Sequence, residues 1–164
     1  MKIKEIMTAD VATLEPDATV EQAARLMRDE GVGFAPVVSE GMVLGVLTDR
    51  DIVVRGVAQE CDMKTTQLAD VMSTNVRCAT EDQSVDDVLG QMADSQIRRM
   101  PVVDGQHRLV GIVSLGDIAD KDSANEVDLA TSLADISSPS EPDRSGQSQA
   151  SGAAGGGAAD GKAR

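Results

Sequence analysis

Apolar residues recur along the chain at helical spacing in two places. The first stripe is Val20, Ala23, Ala24 and Met27, and the second is Val85, Val88, Leu89 and Met92. Thr19 and Ser84 stand just before these stripes, and Gln22 and Asp87 follow three residues later, which is the spacing of a capping box. The pattern predicts two amphipathic helices, the first ended by Gly31 in a left-handed turn.

Each predicted helix is followed by two short runs of apolar, β-prone residues. The runs are 34–38 and 43–47 in the first half of the chain, and 100–103 and 109–113 in the second. Turns at Ser39-Glu40-Gly41 and Asp104-Gly105 join them. Because the runs are apolar without alternation, they predict strands that are covered on both faces of a sheet.

The two halves form one internal repeat. An offset of 65 pairs Pro36-Val37-Val38 with Pro101-Val102-Val103, and after one inserted residue an offset of 66 pairs Asp51-Ile52 with Asp117-Ile118. Each copy is predicted to run strand, helix, strand, strand, helix, starting in the first copy with an extended segment at 11–14 and ending in helices that begin at Asp49 and Leu115. We expect an α+β fold in which two β-α-β-β-α repeats pack about a pseudo-twofold axis.

Composition divides the chain into four parts. Residues 1–65 are assigned to the first repeat and 66–122 to the second. Leu129, Leu133 and Ile136 have helical spacing and predict a C-terminal helix over 123–138. Residues 139–164 are rich in Gly, Ala and Ser without apolar periodicity, so we expect a disordered tail.

Charge and composition exclude several classes of function. The formal charge is −13 and Phe34 is the one aromatic residue, whereas nucleic-acid binding needs a basic face and stacking rings. The N-terminus has no signal-peptide pattern, and the longest apolar stretches are too short to span a bilayer. We therefore expect a cytoplasmic protein without nucleic-acid or membrane partners. Cys61 and Cys78 are interpreted as reduced thiols rather than a redox pair.

Catalytic chemistry finds little support in the sequence. The single histidine, His107, lies in the predicted turn between two strands, where it cannot serve as a rigid general base. It also has no partner at metal-ligand spacing. We expect neither catalytic residues nor a metal site, and no enzyme.

The segment 45–51 and its counterpart 111–117 are the strongest candidates for a binding site. Each has a glycine in a strand, a hydroxyl at the strand-to-helix junction and a carboxylate in the first helical turn; these are Gly45, Thr48 and Asp51, and Gly111, Ser114 and Asp117. One interpretation is two capping boxes, each contributing about 1 kcal/mol. The other is a ligand site, in which the helix N-terminus holds phosphate, the carboxylate holds a ribose and the glycine allows close approach. Spacing alone favours the caps.

The same segments, the order of elements and the Met-Pro-Val-Val-Asp run at 100–104 resemble the CBS domain in its tandem arrangement, the Bateman module. The resemblance covers about residues 6–120, and the run 47–56 is similar to stand-alone CBS-pair proteins of the hypoxic-response type. It implies an adenosine compound (AMP, ADP, ATP or S-adenosylmethionine) as a regulatory ligand rather than a resident cofactor. Thr48, Asp51, Ser114 and Asp117 would hold its ribose and phosphate.

Arg98 and Arg99 directly precede the Pro101 strand, where nucleotide-binding members of the family often carry basic residues; the first copy has Gly33-Phe34 there. We expect at least one of the arginines to hold phosphate bidentately; the alternative is that one is solvated and the other pairs with a nearby carboxylate. The functional hypothesis is a regulatory module that senses an adenosine compound and acts through an effector protein or a homodimer. The alternative is a ligand-free dimeric scaffold or stress-response protein whose motif residues are only helix caps.

Overall fold

The computed structural model describes residues 1–121 and 126–137. The first repeat contains α1 (Val20–Glu30), β1 (Phe34–Ser39), β2 (Met42–Thr48) and α2 (Asp49–Asp51), which continues as a π-helical turn (Ile52–Gly56) and a 3-10 turn (Val57–Gln59). The second contains β3 (Ala79–Thr80), α3 (Val85–Ser95), β4 (Arg99–Val103), β5 (Leu109–Ser114) and α4 (Leu115–Lys121), and α5 (Glu126–Ser137) follows. The α+β class is confirmed, and the tail predicted over 139–164 lies outside the described residues.

The helix ends follow the sequence signals closely. Thr19 Oγ1 accepts a hydrogen bond from the Gln22 amide at 3.2 Å, and Gln22 Oε1 accepts one from the Thr19 amide at 2.9 Å. Gly31 ends α1 in the left-handed conformation, with φ of 66°. In the second copy Ser84 Oγ accepts from the Asp87 amide at 3.1 Å. Both N-caps are confirmed, and the reciprocal bond that completes a capping box is found in the first copy but not, among the described residues, in the second.

The predicted apolar stripes of the helices are wrong at two positions, where the residue is exposed. Ala24 is exposed, and Leu26, whose longer side chain reaches the core from the other edge of α1, packs there instead. Leu133 of α5 is 40% exposed. Among residues 129–137 of α5, the side chains that are buried or partly buried are Leu129, Ser132 and Ile136. Their spacing is i, i+3 and i+7. The second-copy stripe is buried as predicted.

The two hairpins have the same register irregularity at equivalent positions. β1 pairs antiparallel with β2 with a shift between Val37 and Val38, and β4 pairs with β5 with a shift between Val102 and Val103. β3 adds to β4 in parallel. In the first copy the leading strand predicted over 11–14 is reduced to one parallel bridge, from Leu14 to Val37, and residues 11 and 12 line a cavity.

Coverage of the strands is uneven. β1 and β4 are largely buried, as continuous apolar runs predict. β2 departs from that prediction at its start, where Met42 and Leu44 are 39% and 42% exposed. The tips of the two hairpins meet, since the Leu109 amide donates to the Gly41 carbonyl at 2.9 Å.

Two hydrophobic cores form, and each receives residues from the N-terminal segment of the other repeat; we call these the exchanged segments. Ile3 and Ile6, at the start of the first repeat, are fully buried in the core built around α3, β4 and β5. Leu68 and Val71, at the start of the second, are buried in the core built around α1 and β1. Each core therefore needs both copies in order to exclude water from its apolar side chains.

The exchanged segments also pair with the opposite hairpins through backbone hydrogen bonds. Thr8 and Ile112 exchange two bonds of 2.8 and 2.9 Å, and Val46 and Ser73 exchange two of 3.0 and 2.9 Å. These bridges occupy equivalent places about the pseudo-twofold axis. Among residues 1–121 and 126–137, no helix has the length and apolarity that crossing a bilayer requires.

Candidate functional site

Thr48 and Asp51 form a reciprocal hydrogen-bonded pair where β2 leads into α2. The Thr48 amide donates to Asp51 Oδ2 at 3.0 Å, and the Asp51 amide donates to Thr48 Oγ1 at 3.1 Å. Both residues are partly buried. The capping box read from the spacing is present, and it engages one carboxylate oxygen of Asp51, so that Oδ1 is available to a further donor.

Ser114 and Asp117 repeat this arrangement at the start of α4. Asp117 Oδ2 accepts from the Ser114 amide at 2.8 Å and from the Ser114 hydroxyl at 2.7 Å, while the Asp117 amide donates to Ser114 Oγ at 3.2 Å. Because of the bond from the Ser114 hydroxyl, this pair has three hydrogen bonds, whereas Thr48 and Asp51 have two. Again Oδ2 accepts both of the hydrogen bonds from Ser114, and Oδ1 of Asp117 can accept more.

A cavity of about 740 Å³ lies between the repeats next to Thr48 and Asp51. Its walls come from the β2–α2 junction, from the start of β4 and from the segment that follows Met72. The polar and charged residues that line it are Thr48, Asp49, Arg50, Asp51, Ser73, Asn75, Arg77, Gln96, Arg98 and Arg99. We call this space the larger cavity.

Four arginines line the larger cavity, and two of them were not predicted from the sequence. Arg98 and Arg99 were predicted; Arg50 and Arg77 were missed, because they lie far apart in the sequence and only the packing of the repeats brings them together. In the part of the chain that the structure describes, no carboxylate lies within 4 Å of any of these four guanidinium groups. Two carboxylates, Asp49 and Asp51, share the cavity with them.

A second cavity, of about 360 Å³, lies beside Ser114 and Asp117; we call it the smaller cavity. Its charged residues are Asp10, Glu30, Arg99 and Asp117. Gly33, Phe34 and Arg99 line both cavities, so this group separates them. The structure thus divides the predicted site residues other than the two glycines between two cavities, with Arg99 common to both.

Gly45 and Gly111 lie beside the exchanged segments. A Cβ atom on Gly111 would come within 2.7 Å of the Thr8 carbonyl oxygen, and one on Gly45 within 2.8 Å of the Ser73 carbonyl oxygen. Both distances are shorter than any ordinary contact. Among the described residues that line the two cavities neither glycine appears. The group that approaches each glycine closely is a backbone carbonyl of the same chain.

The histidine and the two cysteines considered in the sequence do not line either cavity. His107 is exposed in the turn before β5, with φ of 61°. Cys61 and Cys78 are free thiols, and burial raises the pKa of Cys78 above its ordinary value. Within residues 1–121 and 126–137 no three His, Cys, Asp or Glu side chains gather in a group that could hold a metal ion.

Comparison with known proteins gives two matches to one family. A model of the CBS domain matches residues 3–56 and again residues 68–123. The CBS domain-containing protein YhcV of Bacillus subtilis (strain 168) is 46% identical over 124 residues, which are 76% of this chain and 87% of that protein.

Solved structures of similar shape are also CBS-pair proteins. Hypoxic Response Protein I, crystallised with two coordinated zinc ions, has a TM-score of 0.68 and 34% identity, covering 73% of this chain and 98% of that one. The CBS domain pair of protein MJ0100, in complex with 5-methylthioadenosine and S-adenosyl-L-methionine, has a TM-score of 0.67 and 29% identity, covering 77% and 98%.

Proposed function

Because this chain belongs to the CBS-domain family and carries two copies of the domain, we propose that it is a regulatory module that binds an adenine nucleotide between its repeats. The matches to the CBS domain and to Hypoxic Response Protein I confirm the resemblance read from the sequence. The MJ0100 pair, which was crystallised with two adenosine compounds, supports the ligand class. The observation that carries the proposal is the larger cavity with its four arginines, none of which has an ion pair within residues 1–121 and 126–137.

The larger cavity has suitable dimensions and chemistry for a nucleotide. A volume of about 740 Å³ lies within the range of roughly 300–1,000 Å³ that small-molecule sites occupy. Asp51 Oδ1 can accept from ribose hydroxyls while Oδ2 keeps the cap, so capping and ligand binding use different atoms. Arg98 and Arg99 offer paired N–H donors to phosphate oxygens.

Electrostatics favour a phosphate over an uncharged ligand here. The protein as a whole has a formal charge of −13, yet arginines outnumber carboxylates in the lining of this cavity. Guanidinium groups that are close together and lack acidic partners repel one another, and a bound phosphate relieves that repulsion. A scaffold that uses Thr48 and Asp51 only as caps has no need of these arginines.

The competing function is a ligand-free dimeric scaffold. It is supported by the two capping boxes, which are complete without a ligand. The two proposals differ in one measurable respect, since a sensor is stabilised by its ligand in proportion to RT ln(1 + [L]/Kd), about 2.7 kcal/mol at a hundredfold excess over Kd. A scaffold shows no such dependence.

Replacing both Arg98 and Arg99 by alanine is expected to weaken ATP binding about tenfold or more and to change adenosine binding much less. Each lost hydrogen bond to a charged group contributes about 1.5–3 kcal/mol before solvent screening, and both side chains are exposed. The exposure also means that added salt should weaken ATP binding to the unmodified protein. Isothermal titration calorimetry with ATP and adenosine measures both effects.

The matched control replaces Arg25 and Arg28 by alanine. These arginines lie on α1, away from both cavities, and removing them changes the net charge by the same amount. ATP affinity should stay within about twofold. Equal weakening of ATP and adenosine by the Arg98/Arg99 change would show that the pair does not hold phosphate. No ATP, ADP or AMP binding at millimolar concentration would leave the scaffold as the function.

We propose that the signal leaves the module through an effector protein or through a homodimer. Exposed apolar side chains offer a surface for self-association: Val53, Val54 and Val57, which follow α2, are 57%, 44% and 59% exposed. Val53 and Val57 are one helical turn apart, so they share a face. Free cysteines and an acidic surface are consistent with action in the cytoplasm, without catalysis and without nucleic acid.

Val53→Asp with Val57→Asp is expected to convert a dimer into a monomer, because carboxylates at the centre of an interface lose their hydration. Size-exclusion chromatography with light scattering gives the mass directly. Leu44→Asp, at an exposed position of β2, is the control and should keep the parent mass. An unchanged dimer in the valine variant would place the interface elsewhere, and a monomeric parent protein would rule out the homodimer.

A further inference from the structure

The two cavities are built from equivalent residues of the two repeats but differ in charge. Two parts of the larger cavity's wall, the residues before β3 and the residues at the start of β4, have counterparts in the wall of the smaller cavity. The counterparts are related by the repeat offset of 65. The pairs are Ser73 with Thr8, Asn75 with Asp10, Val76 with Val11, Arg77 with Ala12, Arg98 with Gly33, and Arg99 with Phe34. The ribose motifs also correspond, Thr48 and Asp51 to Ser114 and Asp117. Equivalent walls therefore allow a direct comparison of what each cavity can bind.

Every charged difference at these positions makes the larger cavity more positive. Arg77 and Arg98 are replaced in the smaller cavity by Ala12 and Gly33, and the neutral Asn75 is replaced by Asp10. Glu30 contributes a further carboxylate to the smaller cavity. A phosphate placed there meets three carboxylates and one guanidinium, whereas in the larger cavity it meets four guanidinium groups and two carboxylates.

Arg99 is the one basic residue among those that line the smaller cavity in the described structure, and it also lines the larger one. It has no ion pair with the described residues that would fix it on either side. A phosphate bound in the larger cavity attracts its guanidinium group and removes that charge from the smaller cavity. The smaller cavity is then left with Asp10, Glu30 and Asp117 as its charged residues.

We infer that the two cavities select ligands by charge, so that one phosphorylated nucleotide binds in the larger cavity and an adenosine compound without phosphate binds in the smaller. This inference rests on the proposed function, because it assigns ligand classes within the same pair of sites. Ser114 and Asp117 provide the ribose contacts for the unphosphorylated ligand, through the carboxylate oxygen of Asp117 that the cap leaves unused. The protein then binds two related compounds at the same time, one in each cavity.

The test compares binding stoichiometry for ATP and adenosine on the full chain by calorimetry. The unmodified protein should bind one ATP per chain, and the ATP-saturated protein should bind one adenosine in addition. Asp10→Asn with Ala12→Arg gives the smaller cavity the counterparts of two residues of the larger one, Asn75 and Arg77, and should raise ATP stoichiometry to two per chain. Asp10 has φ of 52°, a conformation that asparagine tolerates well, so the change is compatible with the backbone.

Thr13→Arg with Glu15→Gln is the matched control, since it changes the net charge by the same amount at neighbouring positions outside both cavities, and should keep one ATP per chain. Thermal melting of each variant shows that it is folded. Two ATP per unmodified chain, no adenosine binding to the ATP-saturated protein, or one ATP per chain in the folded Asp10/Ala12 variant would each overturn the charge selection alone. No ATP binding to the unmodified protein would overturn the proposed function and this inference together.

Discussion

Ile3→Ala is expected to lower the free energy of unfolding by about 2–5 kcal/mol, the range found for truncating a fully buried aliphatic side chain. Ile3 lies at the N-terminal end of the first repeat, where two repeats that fold independently would leave it at the margin. It is nevertheless completely buried in the core around α3, β4 and β5. The loss combines removed apolar contact with the cavity that the substitution leaves.

Leu68→Ala should cost a similar amount, because Leu68 is the equivalent residue and is completely buried in the other core. The control is Leu44→Ala, since Leu44 is 42% exposed and its truncation should cost less than about 1 kcal/mol. Urea denaturation followed by circular dichroism gives all three values. If Ile3→Ala were no more destabilising than Leu44→Ala, the N-terminal segment would not be docked in the second core.

Gly111→Ala is expected to destabilise the protein by about 1–3 kcal/mol, as overpacking of a filled core does. The new methyl group would lie 2.7 Å from the Thr8 carbonyl oxygen and 3.0 Å from Met7 Sδ. A methionine side chain can move aside, but the Thr8 carbonyl is held by its hydrogen bond from the Ile112 amide at 2.9 Å. The backbone must therefore shift, and the bridge between the repeats weakens.

Gly90→Ala is the matched control for the same chemical change. Gly90 lies on the exposed face of α3, with no heavy atom within 4 Å of the added methyl, so alanine there should stabilise the helix by about 0.5–1 kcal/mol. Gly45→Ala should behave like Gly111→Ala, because its methyl would meet the Ser73 carbonyl at 2.8 Å. A neutral or stabilising effect at both Gly45 and Gly111 would show that the two segments are not packed this closely.

Local features of the fold were accessible from the sequence because they depend on neighbouring residues. The Thr19–Gln22 box and the left-handed Gly31 follow from spacing within one turn of helix, and the hairpins follow from apolar runs around short turns. The same holds for Thr48–Asp51 and Ser114–Asp117, whose capping boxes were predicted from their spacing and are present in the structure. Whether these pairs also hold ribose stays a prediction.

Features that depend on packing between the repeats were less accessible. The offset of 65 pairs Ile3 with Leu68, but that equivalence does not say which core either residue enters. Arg50 and Arg77 meet only where both copies fold together. The glycines were interpreted as giving a ligand room to approach, whereas the backbone that approaches them belongs to residues 8 and 73. Ala24 and Leu133 show that helical spacing alone does not set the burial of residues at the edge of a stripe.

The exchange of segments between the cores imposes an order on folding during synthesis at the ribosome. Residues 3 and 6 are made early, but the side chains that bury them, including Val85, Met92 and Ile118, are made much later. The first core can close once Leu68 and Val71 have emerged, while Ile3 and Ile6 stay exposed to water until the second hairpin follows. Docking of the first repeat's N-terminal segment therefore waits until the residues of the second core have been synthesised.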